Sequence, residues 1–563
     1  MKEKIYSLFE KTSVQIFCIV LFGFLAYSNT FNSPFTFDDH VVILKNPIIK
    51  NFDFFKTPFK YVDFNLPEDV KISIRTRYLG FLTLNLNYKL GGFDVFGYHL
   101  FNIVLHLINS VVLFLLLRLT FKTPYLSKID DSELKRYAPF FIAIFFTVHP
   151  LQTQVVTYIW QRVVSIATFF YLLSLLFYVK WRFANKGFSM GFYVLSLICA
   201  VLAMFSKEIA ITLPVIILLY EFTLLSGNIK KRLAFTIPHL LTIFIIPVTA
   251  YFAKRLYVAD SSITAIVKNY NKVMEISKLD YLFTQFRVIM TYLRLLILPI
   301  NQNLDYDYPI YHSLFSVPVF LSFLFILFCI ATALYLYYKS WKESSFKRLL
   351  AFGIVWFFIT LSVESSFIPL DDVIFEHRVY LPSVGFFIFA VTFLLGLKKR
   401  VKLSVILATL SLLSFALLVA TYNRNLVWHD EKTLWHDIAS KSPNKARVWA
   451  NLANAYRDNP KMQKVYIARA LSLKPFYPVY YINYAKASFA SGDFDEGMKS
   501  LYRVISFGYR ENLVKEILDI GNNFLNNKSY ELAIRCYELV LSTPYYKDEA
   551  QKNIAIAREG MRR

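Results

Sequence analysis

The sequence predicts an all-α protein in two parts, a polytopic membrane body followed by a soluble helical tail. Three observations predict it. Hydrophobic residues make up 56% of the 563 residues and charged residues only 18%, less charge than a soluble chain of this size carries. Apolar stretches of about 17–25 residues, long enough to cross a bilayer, recur along the first part of the chain. After Asn423 the composition shifts to shorter, mixed helical segments.

The formal net charge of +23 would suit nucleic acid, but its distribution does not. Many of the lysines and arginines sit in short loops between apolar runs, as cytoplasmic loops of membrane proteins do. The predicted partners are therefore membrane lipids and not nucleic acid. The four cysteines, at positions 18, 199, 329 and 536, show neither disulfide nor metal-site spacing. No cofactor is indicated, and a divalent metal stays open.

Taken in order, residues 1–11 are a basic, cytoplasmic start and 13–27 form the first span. It lacks a small-residue cleavage site and reads as a retained helix. Residues 28–77 are a polar loop with Pro34, Pro47, Pro58 and Pro67, holding the acidic pair Asp38-Asp39. Residues 78–90 are short for a span and suit an interfacial helix. Residues 98–117 span, 139–149 and 155–178 form a hairpin turning at His149-Pro150, and 191–205 and 209–225 form another turning at Ser206-Lys207-Glu208. Residues 233–252 span back. The apolar segment 281–300 contains Gln285, Arg287 and Arg294. Counting it as a span would put the basic loops 342–348 and 398–400 on the outer side, so it is expected to be an outer, non-spanning helix. Spans at 317–338, 349–363, 379–397 and 403–422 complete a body of about eleven.

An odd number places the N-terminus inside and everything after Tyr422 outside. The acidic loop, the His149 turn, the Lys207-Glu208 turn and Glu376-His377-Arg378 then share the outer face. The expected domains are 1–425 and 426–563. In the tail, WANLANAY with ALSLKP, YINYAKASFASGDFDEGMKSLYRVI, and LDIGNNFLNNKSYELAIRCYELVLSTP form three helical pairs. Gly521, Phe524, Ala533, Tyr537 and Pro544 fall close to tetratricopeptide (TPR) spacing, where small residues let two helices cross and aromatics fill the groove. Such a solenoid binds extended partners.

Ionisable groups at membrane depth are costly and point to function. Asp39, assisted by Asp38, is the expected general base for an acceptor hydroxyl, since adjacent carboxylates repel and raise one pKa, and which of the two takes the proton stays open. Arg378 suits a phosphate through its planar fork, with an ion pair to Glu364 or Glu376 as the alternative. Arg162 and Lys207 stand near outer turns and would add positive charge; Lys207-Glu208 reads equally as a local ion pair. Arg287 and Arg294 on the outer helix would contact the donor phosphate. His149, Glu208, Glu376, His377 and Tyr380 are candidates for touching substrate. No nucleotide loop, serine elbow or metal-spaced cluster stands out.

TFDDHVVILKNP, then LNYKLGGFDVFGYHLFNIVLHLINS, VHPLQTQVVTYIWQR, SKEIAITLPVIILLYE and EHRVYLPSVGF occur in that order, followed by the repeat tail. This succession resembles the eukaryotic transmembrane-and-TPR O-mannosyltransferases over nearly the whole chain. The resemblance implies a membrane fold of the GT-C glycosyltransferase type and a polyprenyl- or dolichyl-phosphate-linked sugar as donor. It also implies an acidic base in the first outer loop, which maps onto Asp38 or Asp39. Two features depart from the family: the repeat array is short, and His377 stands within an Arg-containing motif that usually lacks it. They leave sugar and acceptor open. The short tail and lysine-rich loops point to a bacterial or archaeal cytoplasmic membrane, with the first loop and the TPR tail extracytoplasmic.

The sequence thus points to an inverting glycosyltransferase that moves a sugar from a polyprenyl-phosphate carrier to a hydroxyl, with a protein serine or threonine as the expected acceptor, held by the tail. A non-catalytic membrane-anchored TPR scaffold and a lipid-linked sugar transporter are the alternatives. A transporter would need charges through the midplane, whereas these gather at one face.

Overall fold

A computed structural model of the chain describes residues 11–56, 66–184, 189–258, 276–342 and 346–563. The basic start before Lys11, Pro58 and parts of the expected basic loops at 180–186 and 342–348 lie outside the described residues. The chain divides into two units, one of 1–304 with 308–429, the other of 305–307 with 430–563. Both are helical, and the described residues contain no strand.

Six described helices in the first unit are long and apolar enough to cross a bilayer, or seven if the bent pair Ser132–Val148 and Pro150–Val156 is one span. Fewer described helices pass by length and composition than the roughly eleven spans expected. Leu213–Leu224 has 12 residues and Lys347–Leu361 has 15. At about 1.5 Å per residue they reach roughly 18 and 22 Å, short of a hydrocarbon core of about 30 Å. Thr12–Tyr27 and Met190–Met204 are shorter apolar helices as well. Lys278–Ile297, which carries Lys278, Asp280, Gln285, Arg287 and Arg294, is not among the apolar crossings.

The body is pinned by buried polar groups, because apolar side chains gain little from one another in lipid. His99, Asn102, His106 and Asn109 recur at helical spacing on one face of Val95–Thr120 and all are buried. His106 joins the Tyr380 hydroxyl at 2.7 Å and the Thr147 carbonyl at 2.9 Å, and Asn109 donates to Ser165 at 3.0 Å. The chain bends by 51° at His149, whose backbone is extended ahead of Pro150, as a residue before proline prefers. Helices Lys347–Leu361 and Tyr380–Gly396 cross where a Cβ on Gly353 would meet the Gly385 carbonyl oxygen at 2.7 Å.

The second unit has eight helices, from Glu431–Lys441 to Lys547–Arg562. They pack in successive pairs: Ala446–Ala455 with Pro460–Leu473, Pro478–Ala490 with Phe494–Ser506, and Glu511–Asn526 with Tyr530–Leu541. Their core includes Ala485, Leu501, Ile517, Ala533 and Tyr537. Gly521 admits the Tyr537 ring where any Cβ would sit 2.8 Å from it.

Candidate active site

The acidic pair splits between two environments. Phe37 adopts a left-handed backbone with φ of 54°, uncommon for a bulky residue and a conformation that surrounding structure must enforce. The turn it makes sends neighbouring carboxylates apart. Asp39 is fully buried: its Oδ2 accepts from the Thr36 amide at 3.0 Å and its Oδ1 from the Trp160 amide at 2.9 Å. Burial pushes its pKa up to about 8, with the Asp38 charge adding to the effect and the two N–H donors opposing it. Asp38 lines a cavity of about 640 Å³. Its amide donates to the Tyr158 hydroxyl at 3.2 Å, and that hydroxyl also hydrogen-bonds the Asp38 side chain. Burial first, then the charges of Asp38 and Asp39, raise the Tyr158 pKa well above its usual value, so it stays a neutral donor.

Three cations face the same cavity, each held before any ligand arrives. Arg77 Nε contacts both Glu208 oxygens, at 3.1 and 3.3 Å. Lys207 Nζ donates to Glu364 Oε1 at 2.8 Å, with only 5% and 13% of the two side chains exposed. Arg378 donates to the backbone carbonyls of Val373 at 3.1 Å and Asp372 at 2.7 Å, and its guanidinium lies over the Phe375 ring. Burial lowers the Lys207 pKa, and Glu364 opposes the shift. For Glu208, burial raises the pKa, but the Arg77 charge and hydrogen bond, a backbone hydrogen bond and the Lys207 charge together hold the carboxyl below its ordinary value.

Part of the wall is apolar, from Ile209, Ile211, Ile246, Val363, Ile368 and Leu370, with Trp160 beside it, and Asp371 and Asp372 add further carboxylates to the lining. The loop 362–375, which carries Glu364, is fastened to the helix Lys278–Ile297 by uncharged groups. Tyr281 donates to the Glu364 carbonyl at 2.9 Å, Gln285 to that of Val373 at 2.9 Å and Tyr292 to that of Phe375 at 3.0 Å. Among the described residues, no three His, Cys, Asp or Glu side chains are grouped to hold a metal ion. Five carboxylates, of which Glu208 and Glu364 are paired with Arg77 and Lys207, share the cavity with three cations and an apolar wall, a set that can take an anion attached to a lipid and a proton from a hydroxyl.

The chain is 26% identical over 487 residues to protein O-mannosyl-transferase TMTC3 of Mus musculus, covering 80% of this chain and 50% of that protein. It is similar to the TMTC protein O-mannosyl-transferases. Against protein O-mannosyl-transferase F38B6.6 of Caenorhabditis elegans the identity is 25%, over 78% of this chain and 60% of the relative. A stretch of 199 residues, 33% of this chain and 26% of the relative, is 32% identical to TMTC4 of Homo sapiens. The chain spans about half the length of the curated relatives it matches. No family model matches it. Among solved structures, the apo oligosaccharyltransferase of Archaeoglobus fulgidus aligns with a TM-score of 0.39 at 15% identity, covering 83% of this chain and 60% of that one.

The cavity brings together Asp38, Lys207, Glu208, His377 and Arg378 of the residues singled out in the sequence. Several others lie elsewhere. Asp39 is enclosed in backbone donors instead of facing the cavity. Arg162 is fully buried, bonded to Asn87 Oδ1 at 2.5 Å and the Tyr98 carbonyl at 3.1 Å, and does not line the cavity. His149 caps its own turn by accepting from the Leu151 amide at 3.2 Å, and its other nitrogen meets the Leu296 carbonyl. Glu376 accepts from the Asn303 amide at 2.6 Å and Gln302 at 2.9 Å, and Tyr380 is committed to His106. Arg294 is exposed and donates to the Ile300 carbonyl, and Arg287 reaches Ser322 at 3.3 Å. The local Lys207-Glu208 pair does not form, because Lys207 is extended (φ −161°, ψ 151°) and each side chain finds a distant partner. The sequence reading missed Arg77, whose place beside the helix Tyr78–Gly91 gave the only signal.

Proposed function

We propose that the chain is a membrane glycosyltransferase that moves a sugar, with inversion, from a polyprenyl-phosphate carrier to a hydroxyl acceptor, a protein serine or threonine, on the outer face of the membrane. The observation that carries this reading is the single cavity that joins Asp38 to Arg77, Lys207 and Arg378 beside an apolar wall. Asp38 accepts the proton of the acceptor hydroxyl as its oxygen attacks the anomeric carbon. The bond from that carbon to the carrier phosphate breaks with its electron pair staying on the phosphate. One in-line displacement inverts the centre. Arg378, Lys207 and Arg77 face the charge that develops on the departing phosphate, the kind of preorganised stabilisation that contributes most in many sites. The apolar wall receives the first isoprene units, and the helical second unit holds the acceptor chain. Similarity to proteins named O-mannosyl-transferases supports the reaction class and puts mannose first among donors to offer, without fixing it.

The test is transfer in reconstituted vesicles from a mixture of polyprenyl-phosphate sugars to serine- and threonine-bearing peptides, analysed by mass spectrometry. Wild type is expected to yield glycosylated peptide and Asp38→Asn none. Product of equal amount from both would remove Asp38 from the chemistry, and no product from wild type with any donor would overturn the reading.

A further inference from the structure

His377 lines the cavity and is 7% exposed, yet its Nδ1 has no protein partner. Its backbone amide is bonded to Gln154 Oε1 at 3.1 Å, and its ring stacks on Phe375 with centroids 5.1 Å apart at 24°. The ring is thus fixed in plane and position, while its buried Nδ1 makes no hydrogen bond among the described residues. A buried polar group left this way calls for an explanation. The ring is buried and shares its cavity with Lys207, Arg378 and Arg77, and burial together with three cations disfavours a fourth positive charge. The imidazole is accordingly neutral, presenting one donor and one acceptor. Carboxylates already pair Lys207 and Arg77, and phosphate chemistry calls for cations, so a neutral ring adds little to phosphate binding. A ligand group that both donates and accepts, in a cavity that also holds cations for a phosphate and the Trp160 ring, is a sugar hydroxyl.

We infer that His377 is a specificity-determining residue that reads one hydroxyl of the transferred sugar. This inference rests on the glycosyltransferase reading above. A site built to hydrogen-bond a hydroxyl rejects the analogue lacking it, because its own polar group is then left unpaired. Substituting His377 by an apolar ring removes that penalty.

The experiment is a competition in one vesicle preparation between the preferred polyprenyl-phosphate sugar and its 2-, 3-, 4- and 6-deoxy counterparts. Wild type, His377→Phe and His377→Asn are compared. The product ratio within one tube does not depend on how much of a variant folds. Wild type is expected to prefer the parent sugar over one deoxy donor by at least about 10-fold. In His377→Phe that one ratio falls to within about 2-fold, the other ratios hold, and His377→Asn, which keeps a donor and an acceptor, lies between. If His377→Phe yields no active protein, the intermediate ratio in His377→Asn decides alone. Unchanged ratios, or an equal slowing of every donor, would overturn the inference and leave the glycosyltransferase reading standing. Absence of transfer by wild type would overturn both.

Discussion

Lys207 Nζ lies 2.8 Å from Glu364 Oε1, joining two turns 157 residues apart in the chain. Both side chains are nearly buried, so removing one partner strands the other's charge. Glu364→Ala is expected to destabilise the protein by about 3–5 kcal/mol. The double variant Lys207→Met/Glu364→Leu, which removes both charges, recovers most of that. Thermal unfolding in detergent checks both, and on the proposed function transfer is expected to stay lost in the double variant, which lacks Lys207.

The division of labour between the two aspartates predicts opposite phenotypes. Asp38→Asn keeps its melting temperature and loses transfer by about 10²–10⁴-fold, the range for a general base. Asp39→Asn sets an NH₂ against one of two backbone N–H donors, costing about 1–3 kcal/mol of stability. Measuring melting and transfer side by side separates the two.

Asp39 also imposes a pH dependence. Burial raises its pKa from 3.8 to about 8 in the folded chain. Between those values the folded state keeps a proton that the unfolded state has released, so this residue's contribution to stability is full below pH 4. It declines as pH rises and is gone once pH passes 8. Unfolding midpoints taken from pH 5 to 9 should fall with pH in wild type, and the slope should flatten in Asp39→Asn.

The helix Lys278–Ile297 holds the loop 362–375 through uncharged groups. Tyr292→Phe, which removes the bond to the Phe375 carbonyl, is expected to raise the KM for donor by about 3–10-fold, the equivalent of one net hydrogen bond. Arg294→Ala, at an exposed position bonded only to the nearby Ile300 carbonyl, leaves kinetics within about 2-fold. The reverse order of effects would restore the arginines to the donor site.

Much of this site was legible because charge next to an apolar run is rare and stands out, as Asp38, Lys207, Glu208 and Arg378 do. Depth and direction were not legible. Adjacent residues on extended backbone point to opposite sides, so Lys207 and Glu208 left each other for Glu364 and Arg77. Arg162 begins a helix, as Arg378 nearly does, and only the packing around Asn87 and Tyr98 takes it out of reach. The expected spans outnumber the described helices that pass by length and composition for a related reason: apolar residues continue through short helical turns such as Glu208–Thr212, and sequence does not mark where the helix geometry changes.

Gly353 and Gly385 carry only hydrogens where their helices cross. One of those helices leads into the loop that presents Glu364, and the other starts just after Arg378. The separation of an anion and a cation on the cavity wall is thereby set by two residues that touch no ligand. A methyl group at either glycine would spread the wall without altering one charged side chain. Changes in the shape of the cavity can therefore arise at the helix crossing, at positions that a comparison of the cavity's polar residues would pass over.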